Sequence, residues 1–187
     1  MRSTHHAIVA LDPLAVPRSV VAPASSATKN WSRPGQRRAM NPVTRKAIQA
    51  GTKANVWLYR RTNGRLGGQG MGRLPLLLLT VPGRKSGRPH TVPIAYFDHN
   101  GDYIVVGTGM GGSKRTPQWL LNLKAAGKGH IRIREREHDV NARLTSDAER
   151  DELWPQIAAL APHFAKFQAR TGRKLPIVVL TAHSSMD

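Results

Sequence analysis

From Pro42 onward, Val43, Ala47, Ile48, Ala50, Ala54, Trp57 and Leu58 recur at a loose helical spacing. The pattern predicts one amphipathic helix, stopped by the Asn63-Gly64 and Gly67-Gly68 breakers. An apolar run over residues 74–81 predicts a buried strand, and a glycine-bounded turn follows over residues 83–89. The β-rich runs 91–97 and 103–106 flank Asn100-Gly101, a dipeptide that tolerates positive φ at both positions, so they predict a hairpin. Trp119, Leu120 and Leu123 share one helical face within residues 117–126, with Pro117 suited to a first turn. Ile131 and Ile133 alternate with Arg132, Arg134 and Arg136, and Val140, Ala142 and Leu144 alternate on the return run, which predicts a second hairpin with one wet face. Ser146 with Glu149 forms a capping-box pattern. It opens a helix carrying Leu153, Trp154, Ile157, Leu160, Phe164 and Phe167, which Pro155 and Pro162 should kink or divide. Residues 175–181 supply a last apolar strand. Hairpins interrupted by short helices predict a mainly antiparallel β fold with flanking helices, and about six strands close most economically as a small barrel.

Length changes this picture little: 187 residues suit one core, and we expect one domain over residues 41–187. Residues 1–40, rich in Ala, Ser, Pro and Arg and without a period, read as a disordered extension, with order beginning near Met40. Charge matters more. The net charge of +18 and pI near 11.6 favour an anionic partner: phosphate, a polycarboxylate, nucleic acid or anionic lipid. Nucleic acid is not expected, because the few aromatic residues form no recognised base-reading pattern. Zero cysteines exclude disulfides and thiolate metal sites, and the eight histidines form no helical pair with an acidic third ligand, so no metal centre is expected. The apolar run at 74–81 is too short to span a bilayer, which takes about 20 residues. Asp12, Pro13 and Pro17 break the early apolar stretch, so no export signal is read and a cytoplasmic location is expected. The helix near Trp57 and the high charge are compatible with peripheral contact to anionic lipid, and equally with a core helix on a basic protein.

Two segments carry candidate chemistry. Gly83-Arg84-Lys85-Ser86-Gly87-Arg88 sets three cations, a hydroxyl and two flexible glycines in one turn, suited to a phosphate or carboxylate, or else simply to solvent as a basic hairpin. The stretch from Gly107 to Gly112 formally matches a dinucleotide fingerprint, with Glu135 roughly the right distance onward. The following strand turns straight back through Glu137 and His138, however, and no series of βαβ units follows, so a flexible loop that approaches a flat ligand is the better reading. Asn122 could bond a heterocycle or sit on a solvated face, and Trp119 could be core. Asp147, Glu149, Asp151 and Glu152 read as a helix start complementing its dipole, and no hydrolytic constellation can be assembled.

The segments LLLLTVPGRKSGRPHTVP, GGSKRTPQWLLNL and LPIVVL, with VWLYR and GRLGG before them, together resemble the deazaflavin (coenzyme F-420)-dependent nitroreductase and quinone reductase family over residues 42–182. The resemblance implies a split β-barrel related to flavin-binding reductases, and hydride transfer from reduced coenzyme F-420 to a quinone-like or nitroaromatic acceptor. It implies coenzyme contacts at Arg84, Lys85 and Ser86 of the turn, and at His90, Thr91, Val92, Pro93, Ile94 and Ala95 of the next strand. It extends them to Gly107, Thr108, Gly109 and Met110 of the loop, and to Gln118, Trp119, Leu120, Leu121 and Asn122 of the helix. Where the family's founding pattern has tyrosines near the acceptor, this chain offers Ala161, Phe164 and Phe167, so Phe164 and Phe167 are expected to form an apolar acceptor wall. No residue is assigned as catalyst, since the coenzyme carries the chemistry. The alternatives are an FMN-using reductase on the same barrel and a noncatalytic deazaflavin carrier or basic surface-binding protein.

Overall fold

A computed structural model describes residues 42–70, 73–109 and 115–183. The extension expected over residues 1–40 therefore lies outside the described residues, as does Met110. The elements run α1 (Pro42–Arg61), β1 (Leu76–Pro82), β2 (Pro89–His99), β3 (Asp102–Val106), α2 (Gln118–Ala126), β4 (Lys128–Ile133), β5 (Arg136–Leu144), α3 (Asp147–Leu160), α4 (Pro162–Thr171) and β6 (Ile177–Ala182). All strand pairs are antiparallel, and the sheet closes as a barrel in the order β1-β2-β3-β6-β5-β4. Closure gives each strand two neighbours, which limits unpaired backbone, while β2 from Pro89 to Ala95 runs beyond its pairing with β3.

Each strand alternates, and the alternation separates two cores. Leu77, Leu79 and Val81 of β1, Ile94 and Tyr96 of β2, Val105, Ile131, Val140, Val178 and Leu180 fill the barrel interior, closed over by Leu120 and Leu123 of α2. The neighbours of opposite parity, Phe97, Ile104, Val106, Ile177 and Val179, face outward and are covered by Leu153 and Ile157 of α3 and Phe164 of α4. α2 and α4 thus serve opposite faces of the sheet.

The turn chemistry follows the sequence. Asn100 and Gly101 adopt φ of 55° and 84° between β2 and β3, as the Asn-Gly dipeptide requires. Ser146 caps α3 by accepting from Glu149 N at 3.2 Å. The Glu149 carboxylate does not complete the box, and instead takes both guanidinium branches of Arg143 at 2.7 Å. Of the two helix prolines, Pro162 divides the segment by opening α4, while Pro155 sits within α3. α1 is pinned to the barrel by Tyr59, 1 % exposed, whose hydroxyl donates to Leu76 O at 3.0 Å and accepts from Arg134 N at 2.9 Å. That burial pushes the phenol's pKa up. No helix among the described residues is long and apolar enough to cross a membrane.

Candidate functional site

The basic turn between β1 and β2 is tightly wound. Gly83 N bonds Arg88 O at 2.8 Å, Gly87 N bonds Gly83 O at 2.7 Å, and Gly87 holds φ of 66°, a conformation that glycine adopts without strain. A Cβ on Gly83 would lie 2.7 Å from Ser86 Oγ and 2.8 Å from His90 Nε2, so a larger residue there would displace those two exposed side chains. Arg84, Lys85, Ser86, Arg88 and His90 are all exposed on it.

α2 meets this turn through two amide side chains. Gln118 Oε1 accepts from Arg84 Nη1 at 2.9 Å, and Asn122 Oδ1 accepts from both Arg84 N and Arg84 Nη1 at 3.3 Å. Asn122 is 7 % exposed, one of two buried polar residues among those described. The consequence is electrostatic: both partners are neutral, so the guanidinium is held in place while keeping its full charge. Other arginines differ. Arg132 pairs with Glu137, Arg143 with Glu149 and Arg150 with Asp151, whereas no ion pair among the described residues involves Arg84, Lys85 or Arg88.

Gly107 continues the β3 direction and is fixed from two sides. Its N–H donates to Pro176 O at 2.7 Å, and a Cβ there would lie 2.6 Å from Pro176 Cγ and 2.8 Å from Leu120 Cδ2. Its glycine is thus required by close packing between β6 and α2. No parallel strand follows, and the antiparallel β4 and β5 exclude a dinucleotide fold for the segment. Thr108 is half-buried and Gly109 buried.

The predicted strand residues divide by parity. His90 is exposed, Thr91 exchanges a 2.8 Å hydrogen bond with Thr80, and Val92 and Ile94 point to the barrel interior. Pro93 is half-buried, and Ala95 packs on the outer core. In α2, Leu120 is buried core, Trp119 packs half-buried against that core, and Leu121 is half-buried. The turn, the start of α2 and Gly107 therefore converge through Arg84, Gln118, Asn122 and Leu120.

The two residues expected to form an acceptor wall both lie on α4. Phe164 is 4 % exposed and packs edge-on against Phe97 at 6.1 Å in the outer core. Its ring is used by the fold and is on the sheet face opposite α2. Phe167 is half-buried beside it, with the Arg170 guanidinium 5.2 Å above its ring. Helical spacing cannot distinguish a core phenylalanine from a lining one, because both need the same period.

Arg150 was missed by sequence reasoning. It is 6 % exposed, donates to Leu175 O at 3.1 Å and to Gln168 Oε1 at 2.6 Å, and lies 4.9 Å over the Trp154 ring. The four-residue spacing from Arg150 to Trp154 was the available signal. Through Leu175 it holds the segment whose Pro176 fixes Gly107. Two shallow clefts, about 190 and 140 Å³, lie along α2–β5 and below α3, and each is smaller than a usual coenzyme pocket of about 300 Å³ or more.

This closed antiparallel barrel with helices outside is of the split-barrel class. A solved F420-H2 dependent reductase (FDR-A) superposes with a TM-score of 0.52 at 30 % identity, covering 57 % of this chain and 93 % of that one. A further solved structure, described as a domain-swapped dimer, gives 0.54 at 26 % identity over 75 % of this chain and 99 % of the other. The F420H(2)-dependent quinone reductase family model matches residues 51–182, and the chain belongs to that family. An F420H(2)-dependent quinone reductase of Mycobacterium tuberculosis (strain H37Rv) is 35 % identical over 127 residues, 66 % of this chain and 85 % of the relative. The same identity and coverage are found with a reductase of the same description from strain CDC 1551. Membership makes the protein an F420-dependent oxidoreductase.

Proposed function

We propose that this chain binds reduced coenzyme F-420 across the β1–β2 turn and the Gly107–Gly109 segment and reduces a quinone. The observation that carries the reading is the Arg84 guanidinium, held by Gln118 and Asn122 oxygens without loss of its charge. Arg84, Lys85 and Arg88 offer cationic donors and Ser86 a hydroxyl, the donor set that a phosphate and a polyglutamate tail require. The edge of β2 from His90 to Pro93 that β3 leaves unpaired, together with Gly107, Thr108 and Gly109, offers backbone against which a planar ring can lie. Trp119 and Leu121 extend that surface along α2, over the core formed by Leu120.

The bound deazaflavin supplies a two-electron hydride. The chain's part is to fix its anionic tail through the turn, to orient its ring, and to leave an acceptor face open. Acceptors of quinone type suit an apolar environment, and nitroaromatic acceptors form a second class with a weaker claim, since they need buried donors for their oxygens. Titration of the purified protein with F-420 and with FMN in parallel, followed by menadione reduction, tests the reading. Tight F-420 binding with turnover is expected. Preference for FMN would give the barrel to a flavin enzyme, and binding without turnover to a carrier.

A further inference from the structure

Between α4 and β6 the chain has no regular structure over residues 173–176. Leu175, 1 % exposed, lies within that stretch, so both of its backbone polar groups need partners inside the protein. Side chains supply them. Gln168 Oε1 accepts from Leu175 N at 3.0 Å, and Arg150 Nε donates to Leu175 O at 3.1 Å. Arg150 Nη2 donates to that same Gln168 oxygen at 2.6 Å, which closes a ring of three residues drawn from α3, α4 and the segment before β6. The remaining branch of the guanidinium, Nη1, meets Asp151 Oδ1 at 2.9 Å.

The ring leads to the candidate coenzyme segment in one step. β3 and β6 pair as far as Val106 with Ile177, and Gly107 N adds one more rung by donating to Pro176 O at 2.7 Å. Thr108 and Gly109 follow directly. α3 and α4 otherwise cover the outer face of the sheet, yet through Leu175 and Pro176 they reach a glycine that α2 packs against from the other side. Packing alone does not call for an arginine at position 150, since an aliphatic side chain fills such a buried place with similar or better stability. What a guanidinium adds is a planar fork whose donors point in fixed directions, and here two of them are set on one peptide and on the amide that holds it.

We propose that Arg150 and Gln168 are positioning residues for hydride transfer: by holding Leu175 at its N–H and its carbonyl they fix Pro176, and through it the height of residues 107–109 against the deazaflavin ring. The proposal rests on the coenzyme reading above. Arg150 is too buried to touch coenzyme or acceptor, so it acts through Leu175 and Pro176. Hydride transfer is steep in geometry, and a displacement of about 1 Å can cost on the order of a hundredfold in rate. The anionic tail is assigned to the Arg84 turn between β1 and β2, a different part of the barrel. Ring and tail are therefore expected to respond to different variants.

The test compares Gln168→Asn, Gln168→Glu and Arg150→Met with Ile157→Val, a control that trims the same outer core without touching the ring. For each, amide hydrogen exchange at Gly107 is followed without coenzyme. Dissociation constants are measured for F-420 and for the ribityl deazaflavin that lacks phosphate and glutamates, and kcat and KM for menadione. Gln168→Asn and Arg150→Met should speed exchange at Gly107 about tenfold, beyond any change in the control. They should weaken both deazaflavins by the same factor and lower kcat on the order of tenfold to a hundredfold, with KM within about threefold of the parent's. Gln168→Glu keeps an oxygen in place for both donors and should restore kcat to within about threefold. Gln168→Asn withdraws the oxygen while keeping a polar group, so it tests the ring even where Arg150→Met does not fold. Arg84→Ala with Lys85→Ala should weaken F-420 and leave the phosphate-free ring unaffected. A kcat for Gln168→Asn no lower than for Ile157→Val, a Gln168→Glu no better than Gln168→Asn, or unchanged exchange at Gly107 would each overturn the proposal alone. A parent that binds neither deazaflavin would overturn the coenzyme reading, and the proposal with it.

Discussion

Replacing Asn122 by Asp changes one neutral oxygen partner of Arg84 into a charged one with almost no change of shape. Asn122 Oδ1 lies 3.3 Å from both Arg84 N and Arg84 Nη1. At that separation, a carboxylate attracts the guanidinium by about 5 kcal/mol at an effective dielectric near 20, before desolvation is subtracted. The attraction keeps the new group ionised and cancels the charge of Arg84. A coenzyme anion would then lose one charge-assisted hydrogen bond, worth about 1.5 to 3 kcal/mol, or roughly tenfold to a hundredfold in affinity. Because the fold already buries an oxygen at this position, the melting temperature should move little, which separates the effect from unfolding. The assay is F-420 titration at low and high salt, where the parent should lose more affinity with salt than the Asp variant does. Asn122→Leu should weaken binding less, since Gln118 still holds Arg84. A dissociation constant for Asn122→Asp within twofold of the parent at low salt would refute the idea that the uncompensated charge binds coenzyme.

The other expectations are shorter. Arg84→Ala with Lys85→Ala should weaken F-420 by more than Asn122→Asp and flatten the salt dependence, and an unchanged affinity would reduce the turn to a solvated hairpin. Gly107→Ala forces a Cβ to within 2.6 Å of the Pro176 ring, so calorimetry should find it destabilised by about 1 to 3 kcal/mol with coenzyme affinity lost as well. Phe164→Ala should cost about 3 to 5 kcal/mol as a core cavity, and Phe164→Tyr should leave the ratio of quinone to nitroimidazole turnover unchanged; a changed ratio would return Phe164 to the acceptor site. The two hydrogen bonds from Arg143, helped by the Ser146-capped helix start, hold the Glu149 carboxyl below the usual carboxylate range. A depressed carboxyl contributes stability above its unfolded pKa near about 4.3 and loses it as pH falls through the folded value. Glu149→Gln should therefore cost up to about 1 kcal/mol at neutral pH and nothing near pH 2, as chemical denaturation can measure.

Periodicity carried most of the fold because each element here obeys a single local rule. Asn100-Gly101 set a hairpin, the alternating Ile131 and Val140 strands set a second, and Pro162 divided the last helical segment. Their closure into one barrel was legible only as an economy of edges, since nothing in β1 specifies pairing with β4 rather than with another strand. The candidate site was legible where backbone need and charge coincide, as in the Gly83–Arg88 turn. It was not legible where the deciding fact is which face a residue takes. Phe164 and Leu120 both sit on helical stripes, but only the sheet's parity assigns one to the outer core and the other to the barrel mouth. Arg150 escaped because its burial rests on Leu175 O and Gln168 from distant segments, while its charge partner Asp151 is the next residue and its Trp154 spacing is shared by many exposed helix pairs.

A strongly basic protein offers too many cations for charge alone to mark a site, so compensation has to do the sorting. Carboxylates answer Arg132, Arg143 and Arg150, and these arginines serve hairpin, cap and core. Arg84 stands outside that pattern. Arg84 is oriented by amide oxygens, which restrict its rotamer without cancelling its field, and such preorganisation suits a discrete anion that must be held in one pose.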